Sequence, residues 1–171
     1  MLEGPLFPNI IQYTVPIILT SLLQLLFNAA DLVVVGQFCG SVSVAAVGAT
    51  GSITGLLVNF FIGLSVGAGV AVAHGLGGRE DQVVHCTVHT TLPTAIISGV
   101  VLTVIGVSYS ETFLAMMGTP DSVLPLSSIY MRIIFGGVTF NMVYNFCAAI
   151  LRAAGDTKSP LIFLLFAGVL N

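Results

Sequence analysis

The chain has 171 residues, of which 56% are hydrophobic and 6% charged, and its mean hydropathy is +1.08. A typical soluble domain is about a quarter charged, so this composition excludes an ordinary soluble domain and a disordered chain. Four Lys and Arg residues against seven Asp and Glu residues offer no phosphate-binding surface, which excludes a nucleic-acid binder. What remains is a polytopic integral membrane protein whose first partner is the lipid bilayer.

Long uncharged stretches predict five membrane helices in chain order. They cover about residues 7–37, 44–73, 84–109, 124–151 and 160–171. The most polar, glycine-bearing segment of the first long stretch, 38–43, is the predicted turn between the first two helices. The stretches do not alternate in polarity as the ~10-residue strands of a membrane β-barrel do, so they indicate helices.

The fifth segment is too short to cross a bilayer. From Pro160 to Asn171 it holds 12 residues, which is ~18 Å of helix against a hydrocarbon core of ~30 Å. We therefore expect the sequence to be part of a longer one.

Basic residues predict the orientation of the helices. Arg79 lies between the second and third helices, and Arg152 and Lys158 flank the start of the fifth. Because Lys and Arg concentrate in cytoplasmic loops, these two connections and the N-terminus are predicted to be cytoplasmic. The expected location is the plasma (inner) membrane of a bacterium.

Asp31 is the main anomaly, because residues 4–30 and 32–78 are uncharged. A charged side chain at the bilayer centre costs at least ~2.5–3.5 kcal/mol. A carboxylate there can exchange a proton or, with other oxygens, hold a hard cation. The alternative is that Asp31 lies near the end of its helix and faces headgroup water.

A polar row precedes Asp31 on the same helix. At 100° per residue, five polar side chains fall within about 80° of one another: Tyr13, Thr20, Gln24, Asn28 and Asp31. We predict that this row faces a cavity, with interhelical hydrogen bonding alone as the alternative. Pro16 removes one backbone hydrogen bond from this helix, which predicts either a hinge or a static bend.

Other polar residues suggest further roles. Asn141, Tyr144 and Asn145 share a helix face, and Tyr144 and Asn145 are predicted to line the substrate pathway. Arg132 either extends toward the membrane surface or pairs with an acid.

The small residues and histidines have simpler expected roles. Gly63 and Gly67 are spaced for close helix packing, so we predict that they face another helix. His85 and His89 share a face without a third ligand nearby, so no metal site is predicted there.

The sequence carries no motif for phosphate-cradling or hydrolytic catalysis. GxxxxGK[ST], GxSxG and HExxH are all absent, so we predict neither an enzyme nor a nucleotide-driven pump, and no organic cofactor.

Several segments resemble the multidrug and toxic compound extrusion (MATE) family in the right order and spacing. "EGPLFPNIIQYTVPIILTSLLQLLFNAADLVVVG" is similar to the first helix of that family, with Phe27 in place of the usual Tyr. "VAAVGAT", "HGLGGREDQVVHCTVHTT", "YMRIIFGG" and "FAGVLN" resemble later segments, and "ILRAAGDTKSPL" is the most specific of them. The resemblance is to the N-terminal half of such a transporter.

The resemblance implies an all-α fold and a function. Family members have two six-helix lobes and expel drugs, many of them cationic, in exchange for H+ or Na+. The chain would hold helices one to five of the first lobe, ending within helix five, with the second lobe missing. By match, Asp31 is the first-helix acid and Asn171 the fifth-helix Asn of the cation-coupling site.

Two other functions stay open. One is a lipid-linked-saccharide flippase of the same superfamily, although such proteins carry more basic cavity residues and only Arg132 could qualify here. The other is a non-transporting membrane interaction protein.

Overall fold

The computed structural model describes residues 6–170 and is built from α-helices joined by short connections. The helices are α1 (Leu6–Gly78), α2 (Asp81–Met116), α3 (Leu124–Ala153) and α4 (Lys158–Leu170). The described residues contain three helices long and apolar enough to cross a membrane, α1 to α3, and one shorter apolar helix, α4. The predicted all-α membrane fold is confirmed.

Gly40 divides α1 into two arms. Its φ of 80° and ψ of 177° are not helical, and glycine adopts such a φ without steric cost. A Cβ built on Gly36 would lie 3.5 Å from Val44 Cγ2, whereas residues eight apart on a straight helix are ~12 Å apart. The chain therefore folds back sharply inside the predicted turn. We call 6–39 the first arm and 41–78 the second arm; each is ~50 Å or longer, enough to cross a bilayer.

Three helices end in the same hydrogen-bonded turn. After α3, the Gly155 N–H donates to Arg152 O and the Asp156 N–H to Leu151 O, each at 2.9 Å, with Gly155 at φ 92°. This is a Schellman motif, which satisfies the last carbonyls of the helix. Gly118 occupies the same position after α2 with φ 72°. Arg79 occupies it after α1 with φ 56°, where an L-residue carries a cost of ~1–2 kcal/mol.

The helices extend beyond the apolar stretches that predicted them. The third segment was predicted over 84–109, and α2 covers Asp81–Met116. The prediction marked the residues that fit the hydrocarbon, but helical hydrogen bonding continues through the polar residues at either end. Hydropathy therefore locates a crossing better than it locates the ends of a helix.

A close contact between small and large residues joins α2 to α3. A Cβ built on Gly106 would lie 2.0 Å from Cδ1 of the buried Phe135 ring. The Thr103 hydroxyl donates to Phe135 O at 2.8 Å and lies 3.1 Å from the Thr139 hydroxyl. A small residue and a hydroxyl thus let two backbones approach closely, as expected between membrane helices. The buried cluster around this contact is Ala95, Leu114, Met131, Phe135, Val138, Met142 and Phe146.

Gly63 and Gly67 do not face another helix within the described chain. A Cβ at either position would have no heavy atom within 4 Å, so that prediction is wrong for this part of the molecule. The second arm instead meets α3 at Gly69, where a Cβ would lie 3.2 Å from Ala149 O. The spacing of small residues shows where close approach is possible, but it does not show which face has a neighbour.

Contacts between helices divide the structure into two ends. At one end, which we call the amino end, the Tyr13 hydroxyl donates to Arg152 O at 3.2 Å. At the opposite end, the Ser127 hydroxyl donates to Ala46 O at 3.5 Å, near the Gly40 turn. The α1–α2 and α3–α4 connections therefore lie at the amino end together with the start of α1.

Replacing Gly106 with alanine should destabilise the protein strongly. The new methyl would overlap the buried Phe135 ring, and overpacking of this kind typically costs ~1–3 kcal/mol. Gly63→Ala is the matched control, since its methyl would meet no neighbour in the described chain. Thermal unfolding of the detergent-purified variants measures the difference; equal midpoints for the two would contradict the α2–α3 contact.

Candidate functional site

The amino-end half of the polar row is used for hydrogen bonds within the protein. The hydroxyl of the buried Thr20 donates to Pro16 O at 2.8 Å, and the Tyr13 hydroxyl donates to Arg152 O on α3. The Tyr13 hydrogen bond is interhelical, as the simpler interpretation of the row has it, whereas Thr20 bonds within its own helix.

The other half of the row, Gln24, Asn28 and Asp31, is exposed. Phe27 lies among these residues and packs against α4, because a Cβ built on Gly168 would lie 1.9 Å from Phe27 Cζ. Asp31 follows Phe27 by one helical turn. The last described turn of α4 therefore lies beside the Asp31 region, while Asn171 itself lies outside the described residues.

Asp31 does not lie at the end of its helix. The first arm continues for nine residues from Asp31 to the break at Gly40, a distance of ~14 Å. With the turn at one membrane boundary, Asp31 falls near the middle of a hydrocarbon core ~30 Å thick. The structure thus places Asp31 inside its helix and not at the helix end, while its depth in the membrane stays a prediction.

Tyr144 and Asn145 have partners on or near their own helix. The Tyr144 hydroxyl donates to Pro160 O at 3.2 Å, which joins α3 to α4. Asn145 Nδ2 donates to the backbone oxygen of Asn141 at 2.8 Å and to its Oδ1 at 2.7 Å. Both side chains are partly buried. Their predicted role in a substrate pathway stays a prediction, because these contacts neither require nor exclude it.

Arg132 pairs with an acid, which answers a question that the sequence left open. Its Nη2 lies 2.9 Å from Glu111 Oε1, and its Nε donates to the Ser110 hydroxyl at 3.1 Å. Both charged side chains are about half exposed, so the pair contributes only ~0–1 kcal/mol. It joins α2 to α3 at the end of the molecule opposite the Tyr13–Arg152 contact.

His85 and His89 stack on one face of α2, with ring centroids 4.1 Å apart. Among the described residues, no group of three or more His, Cys, Asp or Glu side chains is placed to hold a metal ion.

Asp156 caps the start of α4 inside the segment "ILRAAGDTKSPL". Its Oδ1 accepts the N–H groups of Lys158 and Ser159 at 3.1 and 3.0 Å, and its Oδ2 accepts the Ser159 hydroxyl. These hydrogen bonds, that of the Ser159 hydroxyl above all, hold the pKa of the Asp156 carboxyl below its ordinary value. Sequence reasoning noted the segment only as a family signature, although Asp before a helix is a recognisable cap.

Apolar helices long enough to cross a bilayer define a polytopic membrane protein. The model of the MatE family matches residues 16–171, and the chain belongs to that family.

Bacterial relatives agree with this assignment. The chain is 33% identical to "Probable multidrug resistance protein YoeA" of Bacillus subtilis over 159 residues, 93% of this chain and 34% of that protein. It is 30% identical to "Probable multidrug resistance protein YpnP" of the same organism, over 99% of this chain and 38% of that protein. The chain thus spans little more than a third of the length of these relatives.

Solved structures agree with the fold. The structure matches "Crystal structure of MATE in the straight conformation" with a TM-score of 0.90 and 25% identity, over 99% of this chain and 37% of that one. It matches "Crystal structure of MATE in the bent conformation" with the same TM-score and identity.

The Asp156 cap should make the start of α4 sensitive to low pH. Because folding lowers this pKa, the stabilisation is complete above the unfolded value near 3.9 and is lost as the pH falls through the lower folded value. Asp156→Ala should remove it at every pH, whereas Asp156→Asn should keep the cap and lose only the pH dependence. Hydrogen exchange of the Lys158 and Ser159 amides measures the effect. Equal exchange in the alanine variant and the parent would show that the cap is not needed.

Proposed function

We propose that the chain is the N-terminal part of a secondary active antiporter that exports drugs in exchange for H+ or Na+. The observation that carries the proposal is the position of Asp31 inside the first arm, well before the break at Gly40, with the polar Asn28 and Gln24 preceding it on the same arm. Relatives named as multidrug resistance proteins support the drug-export part. The choice of coupling ion rests on the chemistry of the carboxylate alone.

The coupling step we propose is protonation of, or Na+ binding to, Asp31. Asn171 would add a neutral oxygen donor, since Gly168, three residues before it in the sequence, packs against Phe27. A carboxylate changes charge when it takes up a proton or cation, so its occupancy can favour one conformation over another. No organic cofactor is needed for this exchange.

Pro16 is the proposed hinge of the first arm. It is buried inside the helix and cannot donate to Gln12 O, so the arm lacks one backbone hydrogen bond there. Structures titled as straight and bent conformations of a MATE are both similar to this chain, which supports a fold with two arrangements. A static bend at Pro16 is the alternative.

The substrates we propose are small organic molecules, mostly cationic, that move along a polar pathway toward a second lobe of the same protein. Gln24 and Asn28 would line this pathway from the first arm, and Tyr144 and Asn145 from α3. The flippase alternative is weakened because Arg132, its basic candidate, is paired with Glu111 at one end of the bundle. A solved structure with a similar fold is described as "Reverse polarity of binding pocket suggests different function of a MOP superfamily transporter from Pyrococcus furiosus". Proteins that share this fold can therefore differ in function, and the fold alone does not define the substrate.

Asp31→Asn in the full-length protein should abolish gradient-driven efflux while leaving insertion and folding intact. The amide has the same shape and is less costly to bury than a charge. Asn171→Ala should have a similar but weaker effect, because a neutral oxygen contributes less than an anion.

Dye efflux from vesicles, with the H+ and Na+ gradients collapsed in turn, measures this effect and identifies the ion. Asp121→Asn is the matched control, since Asp121 is an exposed acid in the α2–α3 connection. Efflux at the parental rate in the Asp31 variant would refute the coupling role.

The orientation we propose places the amino end in the cytoplasm. In a cysteine-free background, Ser41→Cys should react with an impermeant thiol reagent applied outside, whereas Gly78→Cys should not. The two positions lie at opposite ends of the second arm. The reverse labelling pattern would invert the orientation.

A further inference from the structure

A polar pocket of about 550 Å³ opens at the amino end between the first arm and α4. Asn9, Gln12 and Tyr13 line it from the first arm, and residues 154–158 line it from the α3–α4 connection. The lining carries one fixed charge of each sign, on Lys158 and Asp156. A ligand that matches both must itself carry a positive and a negative group.

The positive group of such a ligand would meet acceptors on two residues that line the pocket, Asp156 and Gln12. Asp156 stays ionised because its hydrogen bonds favour the charged form. Pro16 has no N–H, so it cannot donate to the carbonyl of Gln12, one helical turn earlier. A primary ammonium, with three N–H donors, can use such a carbonyl and a carboxylate together. The exposed Lys158 ammonium supplies the counter-charge for an anion.

Apolar rows lead from the pocket into the membrane on both helices. On the first arm, Gln12 is followed at helical spacing by the exposed Val15 and Leu19. On α4, Lys158 is followed in the same way by the exposed Ile162 and Leu165. The other exposed apolar side chains of that helix are Phe163, Phe166 and Val169. The two helices run in the same direction, because their amino ends share the pocket and Phe27 contacts Gly168 further along. A polar pocket above two apolar rows has the layout of a phospholipid.

We propose that this pocket binds the phosphoethanolamine headgroup of a membrane phospholipid, with the phosphate at Lys158 and the ammonium at Asp156 and the Gln12 carbonyl. The acyl chains then lie along the rows that begin at Val15 and Ile162. The quaternary ammonium of phosphatidylcholine has no N–H to donate, and phosphatidylglycerol has no cation. The site therefore prefers phosphatidylethanolamine over both lipids.

The test is lipid retention by the full-length protein, measured by native mass spectrometry after reconstitution with each of the three lipids. Phosphatidylethanolamine should be retained preferentially. Lys158→Gln should weaken its binding by about tenfold, the value for loss of one charge-assisted hydrogen bond. Lys158→Arg should preserve binding, and Arg132→Gln, at the opposite end of the bundle, should not affect it.

A second variant separates the two halves of the headgroup. Asp156→Asn keeps the helix cap but removes the negative charge, so it should abolish the preference over phosphatidylcholine while phosphate binding persists. Soluble O-phosphoethanolamine and inorganic phosphate serve as competitors without acyl chains. Three results would each overturn the proposal. The parent could retain all three lipids equally, both charge variants could bind as the parent does, or inorganic phosphate could compete as strongly as the lipid.

Discussion

The rest of this structure depends on the need to satisfy every backbone N–H and C=O group where no water is available. Long helices meet that need with their own hydrogen bonds. Breaks and helix ends interrupt these bonds, and such interruptions are few in the part of the chain that the structure describes. The break occurs at one residue, Gly40, and the C-terminal ends of α1, α2 and α3 each close in a Schellman turn. Hydroxyl groups follow the same constraint by donating back to carbonyls of their own helix, as in Thr20 to Pro16, Thr90 to Cys86, Thr94 to Thr90 and Ser98 to Thr94. Among the described residues no buried side-chain nitrogen or oxygen lacks a hydrogen-bond partner.

Once the helices exist, small residues determine how they pack. Apolar area drives helix association weakly in lipid, because a lipid tail is as apolar as leucine. The close contacts here are at glycines: Gly106 under Phe135, Gly69 beside Ala149 and Gly168 under Phe27. At each of these contacts, a group on another helix occupies the space that a side chain larger than that of glycine would fill. These contacts position α2, α3 and α4 around α1 more specifically than hydrophobic burial could.

The sequence predicted the membrane class, the helices and the Gly40 turn, because charge spacing and turn chemistry are local properties. It did not predict which glycines touch another helix, since Gly63 and Gly106 look alike until a neighbour is placed. It left Arg132 undecided because Glu111, its partner, comes from a different helix. Tyr13 and Asp31 looked equivalent in the polar row, yet Tyr13 is half-buried and donates to Arg152 O, whereas the Asp31 side chain is exposed. These cases depend on contacts between residues far apart in the sequence, and the periodicity of a single helix carries no information about such contacts.

The first arm connects the two sites proposed here. The pocket lies at its amino end, Pro16 follows within one turn, and the Phe27 contact and Asp31 come after the proline. A bend at Pro16 changes the angle between the part of the arm that lines the pocket and the part that carries Asp31. If Pro16 is a hinge, a ligand that holds the pocket end against α4 would have different affinities for a straight and a bent arm and would therefore shift their populations. Because thermodynamic coupling is reciprocal, cation binding at Asp31 would in turn change the affinity of the pocket for its headgroup.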